Sequence, residues 1–134
     1  MAHVSATGKL GIMLVEDHST FRSVLAFVLE REPDFEVVAQ AGSLAEAREA
    51  LGGRRLDGRI DVAVVDLALP DGNGTELIEG LRRSSPGVTV VVLSAIVGGG
   101  KSEEVLVAGA DAVLDKVRSY SSIAEELRCL AGRA

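Results

Sequence analysis

Three carboxylates, a hydroxyl and an ammonium each follow a short apolar run in this chain. Glu16 and Asp17 follow Ile12–Val15, and Asp66 follows Ile60–Val65. Ser94 follows Val88–Leu93, and Lys116 comes two residues after Ala112–Leu114. If those runs are strands of one parallel sheet, their carboxyl ends share an edge. Ligands bind in such sheets beyond that edge, where the strand order switches. Three carboxylates at contact range repel, so one takes up a proton or a cation binds among them. Mg²⁺ suits such a set, because it prefers oxygen and uses one or two carboxylates together with waters and a phosphate oxygen. A carboxylate beside a metal and a lysine can also attack phosphorus. Mg²⁺ and Lys116 would neutralise the equatorial oxygens, and Ser94 could donate a hydrogen bond to one of them. A single acid after a strand is usually a turn former or a helix cap, and Asp17 alone could be no more than that. The joint set on one edge with one lysine points to a site.

The elements that must position these groups are legible as an alternation. A fifth apolar run, Phe35–Ala39, completes the strand set, and all five runs are too short for helices. Between them, Phe21, Val24, Leu25, Val28 and Leu29 repeat with helical spacing. Ser43 with Glu46 reads as a capping box opening a second helix through Leu51. Leu77, Ile78 and Leu81 mark a third helix, and Val105 and Leu106 a shorter fourth. Ser122 with Glu125 predicts the cap of a fifth, whose buried stripe is Ile123, Leu127 and Leu130. Turn chemistry separates them at Glu32-Pro33-Asp34, Gly52-Gly53, Pro70–Gly74 and Ser85-Pro86-Gly87. Strict alternation implies parallel strands with helices on both faces. Continuous apolar strands agree with a sheet covered on both sides.

Composition bounds the function. The 134 residues suit one domain, and 47% apolar with 25% charged residues is ordinary globular usage. A formal charge of −6 argues against this domain binding nucleic acid by itself. The single cysteine, Cys129, excludes an internal disulfide and fits a reducing compartment. No apolar run approaches the roughly 18–20 residues that span a bilayer, and no secretory signal precedes Leu10. The expectation is a cytoplasmic protein with no membrane association.

With these residues in view, the chain resembles the receiver domain of two-component response regulators. The matching pieces are Glu16-Asp17, Asp66 followed by Leu67-Ala68-Leu69-Pro70 and Gly74, Ser94-Ala95, and Gly109-Ala110-Asp111 leading to Lys116. They occur in family order over roughly Leu10 to Leu130. Asp17-His18 with Phe21-Arg22, and Glu32-Pro33-Asp34 with Val37-Val38, are most similar to the LuxR/FixJ (NarL-type) branch, whose receivers precede a helix-turn-helix DNA-binding domain. The resemblance implies an α/β, flavodoxin-like, doubly wound five-stranded parallel sheet in the order 2-1-3-4-5 with five helices. That order is taken from the family, for which it is a standard example. It also implies a receiver over residues 10–131 and a flexible extension over residues 1–9.

The resemblance further implies roles. Asp66 would accept a phosphoryl group from a phosphohistidine on a sensor histidine kinase. Asp17, Asp66 and the Ala68 backbone carbonyl would hold Mg²⁺, with Glu16 bound directly or through water. Lys116 and Ser94 would contact the phosphoryl group. The protein would catalyse only its own phosphorylation and slow dephosphorylation. Its output would be transcription through a DNA-binding domain outside this chain, with a homodimer through exposed helix faces as a further expectation.

Three departures stand out. Val113 occupies the position where the family usually has an aromatic switch residue. Val117 follows Lys116 where proline is common. Three glycines lie in the loop Ile96–Ser102, which predicts mobility before phosphorylation. These departures keep open a pseudo-receiver that acts as an interaction module without phosphorylation. Gly100-Lys101-Ser102 after Ala95 also matches a loose nucleotide-binding loop, but the strict glycine at position 95 is missing and Asp66 comes before it. Other residues read blandly: His18 as a solvated helix start, Cys129 as packing on the last helix, Tyr120 as a surface residue, and Arg54-Arg55 and Arg82-Arg83 as solvated pairs.

Overall fold

The computed structural model describes residues 8–52, 60–95 and 101–132. Alternate residues of the strands feed two cores. Met13, Val15, Ala63, Val65, Val90 and Val92 pack on one face of the sheet, and Ile12, Leu14, Val62, Val64, Val91 and Leu93 on the other. Both faces are therefore apolar, and each must be covered by helices. The strands are β1 (Leu10–Val15), β2 (Phe35–Ala41), β3 (Val62–Asp66), β6 (Thr89–Ser94) and β7 (Ala112–Asp115), all parallel, in the order β2-β1-β3-β6-β7. A small antiparallel pair, β4 (Ala68–Leu69) with β5 (Gly72–Asn73), stands where only a turn was expected. With that pair set aside, the order is the expected 2-1-3-4-5.

Helices α1 (Ser19–Glu30) and α5 (Tyr120–Leu130) bury Leu25, Leu29, Ile123 and Leu127 on one face. Helices α2 (Leu44–Gly52), α3 (Gly74–Ser84) and α4 (Lys101–Ala108) cover the other, through residues such as Leu44, Leu77, Ile78, Leu81 and Val105. No helix among the described residues is long and apolar enough to cross a membrane.

Several local expectations need correction. Helix α5 starts earlier than the Ser122–Glu125 box predicts. Ser119 is its N-cap and accepts from the Ser122 N–H at 3.1 Å, which places Ser122 inside the helix. Cys129 is exposed rather than packed. It lies two residues, about 200° around the helix, from the buried Leu127. Tyr120 is half-buried, because its ring packs 5.5 Å from that of Phe21. His18 is exposed as expected, yet it caps α1 by accepting from the Phe21 N–H at 3.0 Å.

Arg82 is not solvated. It donates to the carbonyls of Gly109 at 2.6 Å, Val88 at 2.6 Å and Pro86 at 3.1 Å, and pairs with Asp111. The arginine thereby ties the end of α3 to the start of β6 and to the turn before β7. Gly109, at φ +122°, leaves room for it: a Cβ there would meet Arg82 Cγ at 2.5 Å. Ser43 does cap α2, accepting from Glu46 N at 3.1 Å, but Glu46 reaches back to the Gly42 N–H at 2.6 Å. Arg54-Arg55, the glycine loop over 96–100 and the N-terminal residues 1–7 lie outside the described residues.

Candidate functional site at the carboxyl edge of the sheet

Strand register sets the backbone of the site. Asp66 is level with Leu93 and Ser94 with Asp115. The Lys116 N–H donates to the Ser94 carbonyl at 2.9 Å, and the Glu16 N–H to that of Ala41 at 2.9 Å. The ends of β1, β3, β6 and β7 thus meet at one edge, as the sequence predicts. Two glycines allow close packing there. A Cβ on Gly74 would lie 2.7 Å from the Asp66 carbonyl oxygen, so only glycine lets α3 start against the strand end. A Cβ on Gly42 would lie 2.9 Å from Arg22 Nη1, which donates to the Glu16 carbonyl at 2.6 Å. Arg22 thereby holds the turn that carries both acids.

The side chains converge. Glu16, Asp17 and Asp66 each offer a carboxylate oxygen, and these atoms lie within 4.8 Å of one another. Glu16 and Asp66 are buried, at 3% and 5% exposure, and Asp17 is exposed. Lys116 sits between the buried pair, joined to Glu16 and 3.2 Å from Asp66 Oδ2. Burial pushes the Lys116 ammonium down, but hydrogen bonding to Glu16 and the charges of Asp66 and Glu16 outweigh it and hold its pKa above the ordinary 10.5. The second oxygen of each buried acid meets a backbone amide. Asp66 Oδ1 accepts from Ala68 N at 3.2 Å, and Glu16 Oε2 from His18 N at 3.1 Å.

Three carboxylates and one ammonium leave the pocket with a charge of −2. An oxygen donor set of that charge, with Asp17 open to water, fits a hard divalent cation. Glu16, Asp17 and Asp66 are the residues that could hold it. Ala68 is exposed two residues beyond Asp66, and Ser94 is half-buried at the end of β6. Val113 is partly buried against the core beneath α2, α3 and α4, with no ring at that position.

Two aromatic residues at the site are not among the site residues the sequence marks. Phe21 places its ring 5.0 Å from Lys116 Nζ, and the Tyr120 ring packs against it at a tilt. Phe21 reads in sequence as part of the apolar stripe of α1, and the spacing holds no sign of where a long lysine side chain ends.

Comparison with known proteins agrees with this geometry. The sequence matches the response regulator receiver domain family over residues 12–128. It is 35% identical over 105 residues to the DNA-binding transcriptional activator DevR/DosR of Mycobacterium tuberculosis, covering 78% of this chain and 46% of that protein. It is 40% identical over 106 residues to the transcriptional regulatory protein UhpA of Salmonella typhimurium, covering 78% and 50%. The chain spans about half the length of these curated relatives. Among solved structures, a two-component response regulator of the LuxR family from an Aurantimonas species superposes with a TM-score of 0.81 at 28% identity, covering 93% of this chain and 87% of that one.

Proposed function

This chain belongs to the response regulator receiver domain family, and from that membership we propose that it is a phosphorylation switch whose phosphoacceptor is Asp66. One observation carries the reading: the adjacent Glu16 and Asp17 meet the distant Asp66 and Lys116 in one pocket.

A carboxylate oxygen of Asp66 attacks the phosphorus of a phosphohistidine on a partner kinase. A new O–P bond forms and the P–N bond breaks, and the imidazole keeps the electron pair and takes a proton from solvent. Glu16, Asp17 and Asp66, with the Ala68 carbonyl, would hold Mg²⁺, which would supply positive charge to the transferring oxygens. Lys116, already paired with Asp66, supplies a positive charge of its own. Ser94, at the end of the neighbouring strand, donates a hydrogen bond to a phosphoryl oxygen. Water later attacks the phosphorus, which releases inorganic phosphate and restores the carboxylate. No other substrate is turned over. The added −1.5 to −2 charge units (about that much near neutral pH) are the input to the switch.

One of these relatives is a DNA-binding transcriptional activator and the other a transcriptional regulatory protein, and this chain spans about half the length of each. The output is accordingly transcription, through a DNA-binding domain outside these residues, and the switch and its kinase meet in the cytoplasm. Incubation with acetyl phosphate and Mg²⁺ adds one phosphoryl group, read by intact mass. Asp66→Asn and a chelator each abolish it. Undiminished labelling of the Asn variant would remove Asp66 as the nucleophile.

A further inference from the structure

Lys116 has a third neighbour besides its two carboxylates. The ring of Phe21 lies 5.0 Å from Nζ, within the range in which an ammonium is attracted to the negative face of an aromatic ring. Three features fix that ring. Phe21 stands in the first turn of α1, and its N–H is held by the His18 cap. Its half-buried side chain packs on the core between α1, α5 and the sheet. Tyr120, the first residue of α5, lies 5.5 Å away at an interplanar angle of 47°. The lysine side chain is only 18% exposed, so water covers little of the ammonium.

We infer that Phe21 is a positioning residue for Lys116, holding the ammonium over Asp66 through its ring face, with Tyr120 bracing the ring. The inference rests on the proposed phosphoryl transfer and deepens it. A carboxylate fixes an ammonium through directional hydrogen bonds. A ring face attracts it without fixing a direction. Lys116 can therefore pass from Asp66 Oδ2 to a phosphoryl oxygen without leaving the pocket. An aliphatic side chain at position 21 would fill similar space but leave that side of the ammonium facing hydrocarbon, which favours its swinging out to water.

The test separates packing from ring electrostatics. Phe21→Leu slows phosphorylation by acetyl phosphate at saturating Mg²⁺ by roughly three- to tenfold, while Mg²⁺ affinity stays within about twofold. Phe21→Tyr and Phe21→Trp restore most of the loss. In a Lys116→Met background, Phe21→Leu has no further effect. A second measurement needs no phosphorylation: the Lys116 Hε resonances are shifted upfield by the ring in the wild type and in Phe21→Tyr, and return to ordinary values in Phe21→Leu. If the wild type takes up no phosphoryl group, the proposed transfer fails, and the Hε shift still decides the contact. A Leu variant as fast as the wild type, a Tyr variant as slow as Leu, or unshifted Hε resonances would each overturn the inference.

Discussion

Glu16 and Asp66 are almost fully buried carboxylates that share one ammonium. Removing either sign has opposite consequences. Loss of the ammonium leaves two buried negative charges without a partner, which is among the costly ways to break an ion pair. Lys116→Met is therefore expected to lower unfolding free energy by about 2 kcal/mol in metal-free buffer. That is below the roughly 3–5 kcal/mol of a fully buried pair, because the lysine is partly solvated. Asp66→Asn removes one of three repelling charges and is expected to leave stability unchanged or raised. Urea unfolding of both variants checks the pair, and a Met variant as stable as the wild type would show that the lysine is not the counter-charge. At this scale the acids and the lysine were readable, because each follows an apolar run that ends on the sheet edge. The ring beneath the lysine was not. Helical periodicity assigns Phe21 to packing, which is true, and does not say what its other face touches.

Between elements, Asp71 ties the turn after β4 to α2. It lies in the turn between β4 and β5, yet its carboxylate accepts from Leu44 N at 2.8 Å and Ala45 N at 2.9 Å. The first turn of α2 is thus capped by a residue a few positions after Asp66. Those two amides hold the Asp71 carboxyl below its ordinary pKa of 3.8, against a smaller opposing effect of burial. Because the folded-state value is depressed, the stabilisation is complete above the unfolded value and disappears as pH falls through the folded one. Asp71→Asn is expected to melt at a lower temperature than the wild type. The gap is constant above about pH 5 and closes as the solution is acidified below the unfolded value. A gap that is the same at every pH would mean that the charge of Asp71 does not contribute. The element alternation was legible because strand and helix periods differ. Cap positions were less so. Ser119 and Ser122 both have the side chain of an N-cap, and Ser119 takes that place by accepting from the Ser122 N–H. The β4–β5 pair has only two residues in each strand and carries no period at all.

Over the whole molecule, parallel order gathers the acids at one edge, so the folded chain holds a charge of −2 in a pocket the unfolded chain lacks. A divalent cation that binds there binds the native state alone, and binding must then raise stability. The gain is about 2.7 kcal/mol when free Mg²⁺ stands a hundredfold above its dissociation constant. For a domain of this size that corresponds to roughly 10 °C in melting temperature. Simple screening of the excess negative charge also raises stability, and it would do so for NaCl of equal ionic strength. The expected result is therefore a melting temperature that climbs with Mg²⁺, responds little to matched NaCl, and loses most of its climb in Asp17→Asn. That variant leaves the buried pair and Lys116 in place and removes only the solvent-facing negative charge. Equal rises in both salts would mean that the pocket holds no specific ion. The intact acidic set would then serve an interaction module rather than a phosphorylated switch.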